Sequence, residues 1–196
     1  DNDSYGQKKP WDKIGLHDAQ IVLKKFSFAD KSYCAVVAAS YTVKKSHKNY
    51  FYANVVYTIY GDGLVTVESS LDKAFFGCNE IQRFGLMAEL PSDFNIVEFY
   101  GRGSQEKMEN LCDLKDHAYM GIWRTTVEDM HEPYVMPQDN GNCGGVKWLK
   151  LMNSNGNTFT VFGVPKFSFS AHNYTHKALH RAKHQEELVF SDTTVL

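Results

Sequence analysis

Acidic side chains gather twice in this 196-residue chain: Glu106, Glu109, Asp113 and Asp116 form one group, and Glu128, Asp129 and Glu132 the other. Paired carboxylates are the chemistry of glycoside hydrolysis, one acting as acid and the other as base or nucleophile across a cleft. Closeness in sequence does not supply that geometry, and exposed loop acids are far commoner than catalytic ones. A second pattern is His172, His176, His180 and His184, one histidine at every fourth position. On a helix these would drift slowly around one face, and adjacent pairs could ligate a metal. No Glu sits between them as in H-E-x-x-H, and no third ligand of obvious type is near. The plainer reading is an exposed, moderately basic face shared with Lys177, Arg181 and Lys183.

The stretch "GRGSQEKMEN" tests a third chemistry. Gly101-Arg102-Gly103 begins like a dinucleotide fingerprint, but the third glycine position holds Glu106. A carboxylate there repels the pyrophosphate it should receive, and no glycine precedes a Lys-Ser or Lys-Thr pair as a P-loop needs. A fourth candidate is "YVMPQDNGNCGGVKWL" (134–149), an irregular loop that runs into an aromatic-bearing strand. Gln138, Asp139 and Asn140 could exchange hydrogen bonds with hydroxyls, and Trp148 could stack on a sugar face. The competing reading is a loop whose Asp and Asn side chains satisfy its own backbone.

Strands must position these residues, because the dominant hydrophobic period is two. Strands are predicted over 21–28 (IVLKKFSF), 32–45 and 49–61. In the last, Tyr50, Tyr52, Val56 and Thr58 share one parity and Phe51, Val55, Tyr57 and Ile59 the other. Gly61-Asp62-Gly63 predicts a hairpin turn into a strand over 64–71. Further strands are expected over 83–90, 95–100, 119–125, 146–152, 158–162 and 166–170, with a tight turn at Asn153-Ser154-Asn155-Gly156-Asn157. One helix is predicted over 174–184, capped by Asn173 or Thr175, with Ala178, Leu179 and Ala182 inward. A short helix is also expected over 107–111. The pattern is all-β and antiparallel, without internal repeats or low-complexity linkers.

Composition narrows the function classes. Apolar residues make up 43% of the chain and aromatics 14%, which suits β structure and surfaces that stack on flat groups. The formal net charge is −2, without the basic excess of nucleic-acid binders. Lys44, Lys45, His47 and Lys48 read as a strand edge or turn. Cys34, Cys78, Cys112 and Cys143 contain no C-x-x-C pair and are read as free thiols. No apolar run is long enough to span a membrane and no signal peptide is visible. The first residue is Asp1, so the chain reads as a piece of a longer polypeptide.

Four segments in order carry a resemblance: "RFGLMAELP" (83–91), "VEFYGRGSQEK" (97–107), "YVMPQDNGNCGGVKWL" (134–149) and "FSFSAHNYTHKALHRAKH" (167–184), with Asp1-Asn2-Asp3 ahead of them. Together they resemble the C-terminal, small-chain-like domain of the family-two, lacZ-type β-galactosidases, over residues 1 to about 184. The resemblance implies an antiparallel β-supersandwich, similar to galactose mutarotase, with residues 1–196 as a single, incomplete domain. The parent would be a multidomain retaining glycosidase acting on terminal β-D-galactosyl groups, lactose included. Its catalytic glutamates would lie in an upstream TIM barrel, so none is assigned here. In the family a tryptophan near the extreme C-terminus enters the sugar pocket, and the chain is expected to stop before it; Trp148 belongs to a different motif. Implied partners are the upstream barrel and β-sandwich domains of the parent and a galactoside substrate, with room for a homo-oligomer, and no nucleic acid or membrane. No cofactor is expected in this chain, although the parent family commonly uses Mg and a monovalent cation. A soluble place in the bacterial cytoplasm or periplasm is expected.

The residues that could line a carbohydrate cleft are Arg102, Glu106, Tyr134, Gln138, Asp139, Asn140 and Trp148. The family shows Gly-Pro-Gln-Glu-Asn-Tyr where this chain has Gly103-Ser104-Gln105-Glu106-Lys107-Met108, and Glu-Asn-Gly where it has Asp139-Asn140-Gly141. Ser104 frees a φ angle that proline would fix, and Asp139 shortens the reach of its carboxylate. Two other functions compete with a non-catalytic domain: a stand-alone carbohydrate-binding module, and an aldose mutarotase suggested by fold analogy alone. The last wants a His base and a Glu in one cleft, and the sequence does not place such a pair.

Overall fold

A computed structural model of the chain describes residues 18–73, 83–103 and 119–196, together with Lys13, Gly15 and Ile81. Cys78, Cys112, Glu106 and the expected helix over 107–111 lie outside the described residues. The chain divides into two compact units, Asn2–Gly85 and Leu86–Leu196.

The first unit is an antiparallel meander of four strands: β1 (Gln20–Lys31), β2 (Cys34–Lys45), β3 (Lys48–Tyr60) and β4 (Val65–Lys73). Its turns are those the sequence announces. Ser46 and His47 join β2 to β3, with Ser46 in the left-handed region at φ 52°. Between β3 and β4, Tyr60 N–H donates to the Leu64 carbonyl at 2.9 Å, and Gly63 takes a φ of +91° that other residues adopt reluctantly. Phe51, Val55, Tyr57 and Ile59 share a face, as their parity predicts, while Tyr50 falls at a register shift and is buried beside Phe51. In β1 the register slips between Leu23 and Lys25, leaving Lys24 as the extra residue of a bulge.

The second unit holds a four-stranded antiparallel sheet in the order β7-β6-β8-β9: β6 (Ile96–Gly103), β7 (Tyr119–Thr126), β8 (Cys143–Met152) and β9 (Thr158–Phe169). A short pair joins β5 (Glu89–Pro91) to β10 (Thr193–Val195). Alternation along β6 and β8 sends Val97, Phe99, Leu149 and Leu151 into a core with Met130, Val146 and Phe169. Phe99 and Phe169 meet edge to face, centroids 5.1 Å apart. Asn153 ties the β8–β9 turn: its Oδ1 accepts from Asn155 N–H and Asn157 N–H, and its Nδ2 donates to the Asp93 carboxylate at 2.8 Å. The helix α1 (His176–Arg181) sits inside the predicted span, and Thr175 rather than Asn173 caps it, its hydroxyl accepting from Ala178 N–H. Leu179 and Ala182 are buried and Ala178 packs against them.

Two strand expectations need correction. The run over 83–90 forms a strand only from Glu89: β10 pairs with Glu89–Pro91, and ahead of it Ala88 exchanges backbone hydrogen bonds with Leu196 at 3.0 and 2.8 Å. Phe84, Leu86 and Met87 ahead of it are exposed. The predicted strands over 158–162 and 166–170 are one strand, β9; the interruption expected at Gly163–Pro165 is a register shift against β8.

Candidate functional site

The glycines of Gly101-Arg102-Gly103 are packing devices. A Cβ on Gly103 would stand 2.7 Å from the Trp123 ring, and one on Gly101 would stand 2.7 Å from Val146. Trp123 lies on β7 over this bare stretch of β6, and its Nε1–H donates to the Gly101 carbonyl at 3.2 Å. The alternation that turns both glycines inward leaves Arg102 exposed on the outer face.

That outer face carries Trp148. It lies opposite Tyr100 on β6 and Phe162 on β9, while Tyr100 lies opposite Ile122 on β7. One ladder row therefore reads Ile122, Tyr100, Trp148, Phe162 across four strands. The neighbouring row is charged: Glu98 and Lys150 are paired at 3.5 Å. Lys150 Nζ stands 5.1 Å from the Trp148 ring and Lys147 Nζ 5.7 Å from the Tyr100 ring. Flat rings bordered by charged groups can stack on a sugar and bond its hydroxyls.

The loop before β8 is organised around Asn140, which is 4% exposed. Its Oδ1 accepts from Glu132 N–H at 3.0 Å, and its Nδ2 donates to the Gln138 carbonyl at 2.9 Å and to Tyr174 Oη at 3.1 Å. Tyr174 Oη in turn lies 2.9 Å from His131 Nδ1 and 3.4 Å from Asn140 Oδ1, so the hydroxyl joins the amide to the ring. His172 stacks on Tyr174 with centroids 4.6 Å apart and bonds the Asn140 carbonyl at 3.0 Å through Nε2. A carbonyl only accepts, so Nε2 carries the proton. Nδ1 is then a buried acceptor without a hydrogen-bond partner among the described residues. Burial pushes the His172 pKa down to about 4, against the opposing effect of its bond to Asn140. Burial likewise pushes Tyr174 up to about 12. Gly141, at φ +65°, closes the loop where a Cβ would stand 2.5 Å from the Met130 carbonyl oxygen.

Of the expected cleft residues, Glu106 lies outside the described residues and the other six fall into two groups. Arg102 and Trp148 share the outer sheet face. Tyr134, Gln138, Asp139 and Asn140 share the loop, where Gln185 donates to the Tyr134 carbonyl and Asp139 approaches His176 Nδ1 at 3.6 Å. The amide of Asn140 is fully engaged within the protein, as the self-satisfying reading of this loop requires. Gln138 and Asp139 are half-buried beside it. The histidine series is not one helical face: His172 precedes the helix and bridges Val195, while His184 follows it and meets Glu187 at 3.1 Å. Among the described residues, no three His, Cys, Asp or Glu side chains gather to hold a metal ion. The sequence reading missed His131 and Tyr174. The signal for Tyr174 was a hydroxyl in an inward-facing run, which demands a partner.

Comparison with known proteins agrees with the motif order. The family described as "Beta galactosidase small chain" matches residues 1–196. The chain is 36% identical over 143 residues to a β-galactosidase of Actinobacillus pleuropneumoniae, covering 73% of this chain and 13% of that protein. It is 30% identical over 142 residues to a β-galactosidase of Priestia megaterium, covering 72% of this chain and 13% of that protein. A third β-galactosidase, from Streptococcus thermophilus, is 33% identical over 142 residues, 71% of this chain and 13% of the relative. The matched stretch is a small fraction of each relative's length. This chain belongs to the β-galactosidase small-chain family.

Proposed function

We propose that the chain is a non-catalytic C-terminal β-domain of a family-two, lacZ-type β-galactosidase, part of a supersandwich that completes the active-site cleft and helps hold the assembly together. The observation that carries this is the family match over the whole chain, set beside relatives named β-galactosidase of which it covers 13%. In this reading the parent hydrolyses terminal β-D-galactosyl residues with two glutamates on an upstream barrel, by the double displacement of retaining glycosidases. Magnesium and a monovalent cation, where the parent uses them, are bound outside this chain. Arg102 and Trp148 would face the cleft from the sheet, and Gln138 and Asp139 from the loop that Asn140 braces. Glu106 would orient its own loop and take no part in bond cleavage. Assay of the isolated chain on a chromogenic β-galactoside should give no turnover. Turnover that Glu106→Gln abolishes would place chemistry in this chain and end the proposal.

A stand-alone carbohydrate-binding module is the second reading, favoured by the row of Tyr100, Trp148 and Phe162 on neighbouring strands. It predicts calorimetric binding of lactose or galactose in about the millimolar range, lost in Trp148→Ala. Absence of heat at that concentration sinks it.

A further inference from the structure

The basic run over 176–184 lines a groove of about 500 Å3 between α1 and the segment that follows it. The floor is apolar: Ala178 and Ala182 come from the helical side and Val189 from the following segment. Lys177 and Arg181 line the groove from the helix, and Glu187 lines it from the turn over Gln185–Glu187. Four residues separate the two cations, so one helical turn brings their Cβ atoms to about 6 Å and lets their heads meet on one anion. Both side chains are exposed, and among the described residues neither has an ion pair or a hydrogen bond. Glu187 is held in place. Its Oε2 accepts from Lys183 N–H at 2.8 Å, and its Oε1 lies 3.1 Å from His184 Nδ1. The Lys183 amide, with His184 beside it, keeps this carboxyl below the usual carboxylate range, so it is ionised at neutral pH. Each oxygen keeps a lone pair for one more donor.

We infer that this groove binds a phosphorylated monosaccharide. Three features choose that ligand. The first is the pair of cations. A phosphate monoester carries about two negative charges and three acceptor oxygens. The Arg181 fork can take two of those oxygens while Lys177 adds a point charge. A single carboxylate would leave one cation unanswered. The second is the floor of Ala178, Ala182 and Val189, which suits the C–H face of a sugar ring. The third is Glu187, which only accepts hydrogen bonds. It selects hydroxyls at the end of the ligand away from the phosphate and repels a second anionic group there. Inorganic phosphate satisfies the first feature alone, and a neutral sugar satisfies only the other two. The volume lies within the range of about 300–1,000 Å3 usual for small-ligand sites. Because both cations are exposed, water screens them and keeps the affinity modest.

An NMR titration of the full chain, following backbone amide shifts, tests this with glucose 6-phosphate, glucose and inorganic phosphate as separate probes. Glucose 6-phosphate should bind with a dissociation constant of about 1 mM and shift amides over 175–189. Glucose and inorganic phosphate should each bind about tenfold more weakly or not at all. Arg181→Met and Lys177→Met keep an unbranched stem and remove the charge. Each should weaken glucose 6-phosphate binding about tenfold and leave the circular dichroism spectrum unchanged. Arg181→Lys should recover part of the loss. Lys183→Met removes the same charge from the same run but outside the groove, and should alter binding less than about twofold. Inorganic phosphate that binds as tightly as glucose 6-phosphate would reduce the groove to a general anion site and overturn the inference. So would the absence of shifts over 175–189 at about 10 mM glucose 6-phosphate. Binding that survives Arg181→Met and Lys177→Met would place the ligand elsewhere. An equal loss in Lys183→Met would make the charge of the whole run the cause, and would also overturn the assignment.

Discussion

At the scale of single residues, the buried network around Asn140 sets how the loop responds to acid. His172 is 5% exposed and neutral, with its one proton committed to the Asn140 carbonyl. Its pKa falls to about 4 from an ordinary 6.5, mainly through burial; His131 and His176 nearby add to the fall, and Asp139 opposes it. The unfolded chain therefore binds the proton more readily than the folded one. The stability contributed by neutral His172 is complete above pH 6.5 and is lost as pH drops towards 4. Over that window the loss amounts to about 3 kcal/mol. Urea midpoints measured from pH 7 to 4 should decline steeply in the parent chain. His172→Gln should start lower and decline less. An equally steep decline in the variant would assign the acid sensitivity to other groups. None of this was legible beforehand, because a period of four made His172 look like the first step of a helical face. The helix begins at His176, and His172 belongs instead to the bridge with Val195.

Elements were legible in proportion to how local their signals are. The hairpin at Gly61–Gly63 and the turn at Asn153–Asn157 follow from glycines and side-chain acceptors within five residues of each other. The helix carried a capping hydroxyl and an inward Leu179, and both were where the spacing put them. Thr175→Ala removes the acceptor for Ala178 N–H and should lower stability by about 1 kcal/mol. Thr175→Asp should restore it, because aspartate caps equally well. A chemical-denaturation midpoint unmoved by Thr175→Ala would mean that the last strand pair, and not the cap, holds α1 in place. Alternation failed where pairing depends on a distant partner. Residues 83–88 look like a strand, yet the backbone that pairs next to them, β10 and Leu196, lies more than a hundred residues on and engages Ala88 to Pro91.

For the whole molecule, the motif order carried the family while composition alone would have stopped at an aromatic-rich β protein. The site was half legible. The loop residues Gln138 to Asn140 were rightly singled out as polar and irregular, but their spacing could not say that Asn140 faces inward to Tyr174. Nor could "IVLKKFSF" disclose its own faces, since strict alternation sets Phe26 and Phe28 against Ile21 and Leu23. The bulge reverses that, and it also ranks the residues of β1 by how freely each could be lost. Removing Lys24 would turn β1 into a regular strand in which Leu23 and Phe26 still point the same way. Removing Val22 would instead force Ile21 across to the opposite face or drag the strand out of register. A codon deletion within this strand is therefore tolerable at one address and disruptive two residues away, although neither side chain belongs to a core.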